Sequence, residues 1–125
     1  MAECLNKRQI GDFGENLCVD LYEEQGFRLV DRNWHFHRMG EIDLILEAPE
    51  ACLLIFCEVK LRRDPSFAAA GSAVNRGKRL RIRKLAQCYL MLHPQFANHF
   101  VRFDVCEVFP DENGIYTVNL IPEAF

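Results

Sequence analysis

The chain has 125 residues, of which 50% are hydrophobic and 26% charged, a composition typical of a soluble globular protein with one hydrophobic core. No stretch approaches the roughly 18–20 apolar residues that span a membrane, residues 1–8 lack the apolar core of a signal peptide, and the net charge of −3 argues against a uniformly basic protein. We therefore expect a cytoplasmic protein with one domain over residues 1–125, reduced cysteines and no membrane partner.

The pattern of the first half of the chain predicts one helix and three strands. Apolar residues recur at helical spacing over residues 9–25, which predicts an amphipathic helix. Residues 27–36 have the mixed polarity of a partly exposed strand, residues 40–47 alternate between apolar and polar, and residues 52–61 begin with a continuous apolar run. A short turn separates the last two segments, so we expect them to pair as a hairpin.

This hairpin would bring acidic side chains towards each other. Side chains alternate along a strand, so Glu58 and Lys60 share one face. A turn that pairs residue 47 with residue 52 sets Asp43 diagonal to Glu58 on the same face, with Cα atoms roughly 7–8 Å apart. A slip of one residue would move Asp43 to the opposite face.

The segment that follows the hairpin is strongly basic. Nine basic residues and one acid lie between residues 60 and 84, whereas the rest of the chain is acidic. Charge runs are often solvated helix faces, but a positive face next to buried acids also attracts phosphate. The residues that we expect to contact nucleic acid are Arg62, Arg63, Arg76, Lys78, Arg79, Arg81 and Lys84.

The remaining elements complete the predicted architecture. Helical spacing returns over residues 78–92, and alternation predicts strands over residues 101–105 and 115–121. The order is therefore helix, three strands, helix and two strands. This order predicts an α/β domain with a central mixed sheet.

Four residues are candidates for one catalytic site: Glu15 on the first helix, Asp43 and Glu58 on the hairpin, and Lys60 beside Glu58. Carboxylate oxygens are ligands that Mg²⁺ prefers, together with waters and a substrate phosphate. Asp43 and Glu58 would hold Mg²⁺ or Mn²⁺, and Glu15 would complete the metal shell or hold a metal-bound water. Lys60 would orient or deprotonate a water, or stabilise charge at phosphorus. The alternative is a plain ion pair between Glu58 and Lys60, with the other carboxylates solvated.

Two motifs of the hairpin resemble those of the restriction-endonuclease-like nuclease superfamily. Residues 40–45 have the sequence GEIDLI, and residues 56–62 have the sequence FCEVKLR. Within that superfamily the chain resembles, over almost its whole length, the YraN family of uncharacterised small bacterial proteins. Further matches to that family lie at residues 11–15, 26–27, 32–33, 73–74, 86, 89–90 and 102–105.

The resemblance implies a restriction-endonuclease-like three-layer sandwich, with a central mixed sheet of about five strands flanked by helices. It also implies a metal site at the edge of the sheet, where Asp43 and Glu58 are the metal ligands and Lys60 is the catalytic lysine. Glu15 matches the helix glutamate of archaeal Holliday-junction resolvases, to which the family is similar.

Three interpretations of the function follow. The first is a Mg²⁺-dependent endonuclease that hydrolyses phosphodiester bonds in DNA, with branched or damaged DNA as candidate substrates. The second is a non-catalytic nucleic-acid-binding or assembly module that retains the nuclease fold, and the third is a structural protein-interaction domain. The joint presence of Asp43, Glu58 and Lys60 favours the enzyme. The sequence leaves open the choice between DNA and RNA and the oligomeric state, with a homodimer among the alternatives.

Overall fold

A computed structural model describes residues 7–62, 75–110 and 113–125 of the chain. Its elements lie in the predicted order of helix, three strands, helix and two strands. No helix of the described ranges is long and apolar enough to cross a membrane. The elements are α1 (Lys7–Glu24), β1 (Arg28–His35), β2 (Glu41–Ala48), β3 (Leu53–Leu61), α2 (Arg76–Leu92), β4 (Phe100–Pro110) and β5 (Tyr116–Ile121), with short 3₁₀ helices at Pro49–Ala51 and Pro94–Phe96.

The strands form one five-stranded sheet in the order β1-β2-β3-β4-β5. β3 and β4 are parallel, whereas the other neighbouring pairs are antiparallel. A parallel pair needs a long crossover connection, and the segment that contains α2 supplies it between β3 and β4. The predicted mixed sheet is therefore confirmed.

The two helices cover opposite faces of this sheet. On one face, Tyr22 of α1 packs in a buried cluster with Ile55 of β3. On the other face, Leu85 of α2 packs with Phe56 of β3. Since consecutive residues of a strand point to opposite faces, α1 and α2 lie on either side of the sheet. The molecule is thus a three-layer α/β sandwich, as expected.

The hairpin of β2 and β3 pairs two positions away from the predicted register. Residue 47 pairs with Leu54 instead of residue 52, and Ala48 pairs with Leu53. The turn lies one residue later than expected because the residue before a proline favours extended backbone, which keeps Ala48 in β2. Pro49 then opens the 3₁₀ helix, and Cys52 closes it with left-handed φ of 48°. The predicted register is wrong for this reason.

The two-residue shift has a useful consequence for the acidic side chains. A shift of two leaves every side chain on its predicted face, because the period of a strand is two. The last paired positions at the open end of the hairpin are Leu44 and Cys57, so Asp43 and Glu58 follow directly as neighbours. The carboxylates are therefore closer than a diagonal pair would be.

Candidate functional site

A cavity of about 250 Å³ lies between the open end of the hairpin and α2. Its position follows from the fold, because β2 and β3 present acidic residues to the face of the sheet that α2 covers. Basic residues of the first turns of α2 meet them there. The residues that line the cavity are Gly40, Glu41, Asp43, Glu58, Lys78, Arg81 and Ile82.

Asp43 and Glu58 are the electrostatic centre of this cavity. Asp43 Oδ2 accepts a hydrogen bond of 2.8 Å from the backbone N–H of Val59. Glu58 is only 6% exposed. Burial, followed by the charge of Glu58, raises the pKa of Asp43 to about 8, although the Val59 N–H acts in the opposite direction. Two carboxylates this close resist ionising together, and a bound cation would relieve that repulsion.

Among the described residues, Glu58 forms an ion pair with Lys78, between Oε1 of the carboxylate and Nζ of the lysine. Its place in the first turn of α2 is fixed by the N-cap residue Asn75, whose Oδ1 accepts a 2.9 Å hydrogen bond from the Lys78 backbone N–H. The sequence suggested an ion pair between Glu58 and Lys60, but in the structure Glu58 pairs with Lys78. Lys78, which we expected to contact nucleic acid, is therefore bound to a candidate metal ligand.

Lys60 lies on the same strand face as Glu58 and is half-buried, but it does not line the cavity. It pairs in register with Glu107 of β4, but Glu107 is bound by Arg62 Nε at 3.0 Å and by Asn119 Nδ2 at 3.2 Å. Lys60 forms no ion pair with any residue of the described ranges. Its ammonium group is therefore available to a ligand.

Glu15 lies beside the site and does not line the cavity. Its Oε1 accepts hydrogen bonds from Arg32 Nε at 2.9 Å and from Asn33 Nδ2 at 3.2 Å. The preceding residue, Gly14, packs closely on the end of β3, since a Cβ there would lie 2.8 Å from Leu61 Cδ2. This contact holds Glu15 near enough for its charge to contribute to the raised pKa of Asp43.

Apart from Arg76, the basic residues of α2 divide into two sets. Lys78 and Arg81 line the carboxylate cavity, and Lys84 extends the same side of the helix by one turn. Arg79 and Arg83 lie over the ring of Phe125, each with its guanidinium carbon 5.9 Å from the ring centre. The cavity side of α2 is therefore the side best placed to meet phosphates.

The other predicted nucleic-acid contacts have different surroundings. Arg62 binds the buried carboxylate of Glu107 and is 18% exposed, so much of its charge is compensated within the protein. Arg76 is exposed at the start of α2. Arg63 lies outside the described residues.

Glu41 is a third acid that lines the cavity and that sequence reasoning passed over. The signal was present, since Glu41 shares its strand face with Asp43 by alternation. It is exposed, however, and an exposed acid is usually a solvated one. Within the described ranges no group of three or more histidine, cysteine or acidic side chains is arranged to hold a metal ion. Two carboxylates nevertheless meet the needs of Mg²⁺, which keeps several waters and takes further oxygens from phosphate.

Fold and site together define the class of protein. It is a three-layer α/β protein whose mixed sheet presents paired carboxylates beside a basic helix. The chain belongs to the uncharacterised protein family UPF0102, whose family model matches residues 14–108. This confirms the expectation of an uncharacterised family.

Relatives of similar length support the assignment. A UPF0102 protein of Caldicellulosiruptor bescii is 38% identical over 122 residues, which cover 97% of this chain and 100% of the relative. A UPF0102 protein of Frankia casuarinae is 40% identical over 119 residues, covering 95% and 98%. One of Symbiobacterium thermophilum is 38% identical over 118 residues, covering 94% and 97%. The family is described as uncharacterised, so the activity has to be inferred from the site.

Proposed function

We propose that the protein is a Mg²⁺- or Mn²⁺-dependent endonuclease that hydrolyses phosphodiester bonds in DNA, including branched or damaged DNA. The observation that carries this proposal is the meeting of Asp43 and Glu58 in one cavity, where burial and mutual repulsion raise the pKa of Asp43 to about 8. Strongly perturbed acids in a cavity are typical of functional sites. A divalent cation bound by both carboxylates would remove the repulsion.

The two carboxylates of the cavity and the residues beside it have separate roles in this proposal. Asp43 and Glu58 would hold the metal, which when bound would neutralise charge on the phosphate and activate a water for attack. Lys60 donates hydrogen bonds from its ammonium group to the attacking water or to a phosphate oxygen. Glu15 holds Arg32 and adds negative charge near Asp43, which strengthens the attraction of the site for a cation.

The basic side of α2 would bind the DNA backbone. Lys78 and Arg81 line the carboxylate cavity and Lys84 lies on the same side of α2, whereas acidic residues dominate the chain outside residues 60–84. Contacts to phosphate position DNA without reading its sequence and weaken as salt rises. This arrangement suits an enzyme that recognises the shape of DNA.

The test is cleavage by the purified protein with Mg²⁺ or Mn²⁺ on a panel of linear, flapped, four-way and single-stranded DNA. We expect cutting of at least one substrate, and we expect Asp43→Ala and Glu58→Ala each to reduce the rate by more than about 100-fold while DNA binding is retained. Glu50→Ala, which removes an exposed acid in the turn at the other end of the hairpin, is the matched control. Unchanged cutting by both site variants would indicate a contaminating nuclease and disprove the assignment.

A second function is favoured by one observation. Because Lys78 already pairs with Glu58, part of the negative charge is compensated inside the protein without a metal. A non-catalytic nucleic-acid-binding or assembly module would need nothing more. Binding to DNA that is unaffected by Mn²⁺, with no cutting of any substrate in the panel, would favour this function over the nuclease.

A further inference from the structure

A second cavity adjoins the first and shares Arg81 with it. It has a volume of about 310 Å³ and lies between the turn that connects β1 to β2 and the first turns of α2. The proposed phosphodiester chemistry has no role for this space. The residues that line it are Met39, Gly77, Leu80, Arg81 and Lys84.

The walls of this second cavity combine apolar and cationic side chains. Met39 is 36% exposed and Leu80 is 53% exposed, so both present apolar surface to solvent. Arg81 and Lys84 are three residues apart on α2 and therefore lie on the same side of the helix. An apolar surface bordered by two cations matches a ligand that has flat apolar faces and carries negative charge at its edge.

The shape of this cavity depends on a close contact of the turn with α2. Gly40 has φ of 131°, a conformation that other residues rarely adopt. A Cβ at this position would lie 3.2 Å from Arg81 Cδ and 3.6 Å from Leu85 Cδ1. The glycine thus allows the turn to approach α2, where Met39 and Leu80 line the same cavity.

We propose that the second cavity binds an unpaired base of a DNA strand whose neighbouring phosphate lies at the carboxylate cavity. This inference rests on the proposed function for the identity of the ligand as DNA. Met39 and Leu80 would contact the faces of the base, and Arg81 and Lys84 would bind the adjoining phosphates. The methionine thioether is polarisable and packs well on aromatic rings.

The base must be unpaired because of stacking. Within a duplex both faces of a base are covered by its neighbours, so an apolar wall reaches them only after the base has left the stack. An unpaired base at a flap, branch or lesion is already accessible. The cavity therefore favours DNA with unpaired nucleotides over a fully paired duplex, which defines the substrate class more narrowly than the carboxylates do.

The test is equilibrium binding in EDTA, so that no metal is bound and no cutting competes. Fluorescence anisotropy compares a flapped DNA with a fully paired duplex of the same length. The double variant Met39→Ala, Leu80→Ala should bind the flap about tenfold more weakly, at the low end of the effect of one base stacked on an aromatic side chain because Met39 and Leu80 are not aromatic, and should bind the duplex within about twofold of the parent. Met91→Ala, which removes an 82% exposed apolar side chain at the other end of α2, is the matched control and should change neither affinity.

A second variant keeps the inference testable if the double variant is poorly folded. Leu80→Trp places an aromatic ring at the cavity, so binding of the flap should quench tryptophan fluorescence while binding of the duplex should not. Equal losses on flap and duplex in the first experiment, or equal quenching in the second, would overturn the inference.

These outcomes separate the inference from the proposed function. Discrimination in EDTA combined with no cutting in Mn²⁺ would support the base cavity and disprove the nuclease. If Asp43→Ala abolishes cutting but the Met39→Ala, Leu80→Ala variant binds the flap as tightly as the parent does, the nuclease is supported and the base cavity is disproved.

Discussion

Two carboxylates of the sheet, Asp104 in the core and Asp43 on the cavity wall, are compensated in different ways. Asp104 is fully buried, and its oxygens accept hydrogen bonds from the Tyr22 hydroxyl at 2.7 Å, from Arg102 Nε and Nη2 at 2.9 Å each, and from the Glu123 backbone N–H at 3.1 Å. Asp43 receives one backbone N–H, from Val59, and faces another carboxylate.

The difference separates a structural acid from a candidate functional one. A buried charge is tolerated when donors and an opposite charge surround it, as they surround Asp104. Asp43 lacks an equivalent partner among the described residues, and burial together with Glu58 raises its pKa to about 8. Incomplete compensation on a cavity wall makes Asp43 a candidate for a functional site, where a bound cation would supply the missing charge.

The largest expected difference between the two carboxylates is in the free energy of unfolding when each is replaced by asparagine. Asp104→Asn should lower the free energy of unfolding by about 3 kcal/mol, because the amide cannot neutralise Arg102 and its NH₂ group would face that cation. Asp43→Asn should be no less stable than the parent, because it removes a carboxylate that is costly to ionise there. Urea denaturation of both variants at pH 7 measures the difference, and a greater loss for Asp43→Asn would contradict it.

A second experiment measures how the stability that Asp43 contributes depends on pH. The pKa of Asp43 is raised from an ordinary value of 3.8 to about 8, so the folded protein holds this proton more tightly than the unfolded chain. The stability that this proton contributes is complete below about pH 4 and is lost as the pH rises to about 8. Relative to Asp43→Asn, the parent should lose on the order of 1 kcal/mol per pH unit between pH 5 and 8.

The measurement is the urea midpoint of each protein at four pH values across that range. Parallel curves for the parent and Asp43→Asn would show that the acid titrates normally. Glu50→Gln, an exposed acid on the same hairpin, is the control and should follow the parent.

The sequence was sufficient for the order of elements, the mixed sheet and the face on which each hairpin acid lies. These features depend on local periodicity, as shown by Ile55 and Phe56, which pack on opposite faces of the sheet. The register was not predictable, since it depends on where Pro49 starts the turn and on the left-handed conformation of Cys52. The pairing of Asp43 with Glu58 survived this error only because the shift was even.

The ion pairs of the site could not be predicted for a different reason. The pairs Lys78 with Glu58 and Arg62 with Glu107 join residues that are 20 and 45 positions apart. Their contact depends on how α2 crosses the sheet and on the pairing of β3 with β4, and neither is encoded in a local pattern. Charge clustering located a basic helix, but it did not show which side of that helix lies over the carboxylates and which side contacts Phe125.

The smallest expected effect concerns the cation that the protein itself places at Glu58. Lys78→Met should raise the affinity for Mn²⁺ in the absence of DNA by about threefold, since an ion pair whose lysine is partly exposed contributes only a modest free energy and its ammonium competes with the metal. Isothermal titration calorimetry measures the affinity. Lys84→Met, on the same side of α2 but away from the carboxylates, should leave it unchanged.

The same two variants should behave alike towards DNA, because each removes one cation from the side of α2 that would bind phosphates. Both should reduce the salt dependence of DNA binding by about one unit of slope. Weaker Mn²⁺ binding by Lys78→Met would mean that this lysine holds Glu58 in place for the metal instead of competing with it.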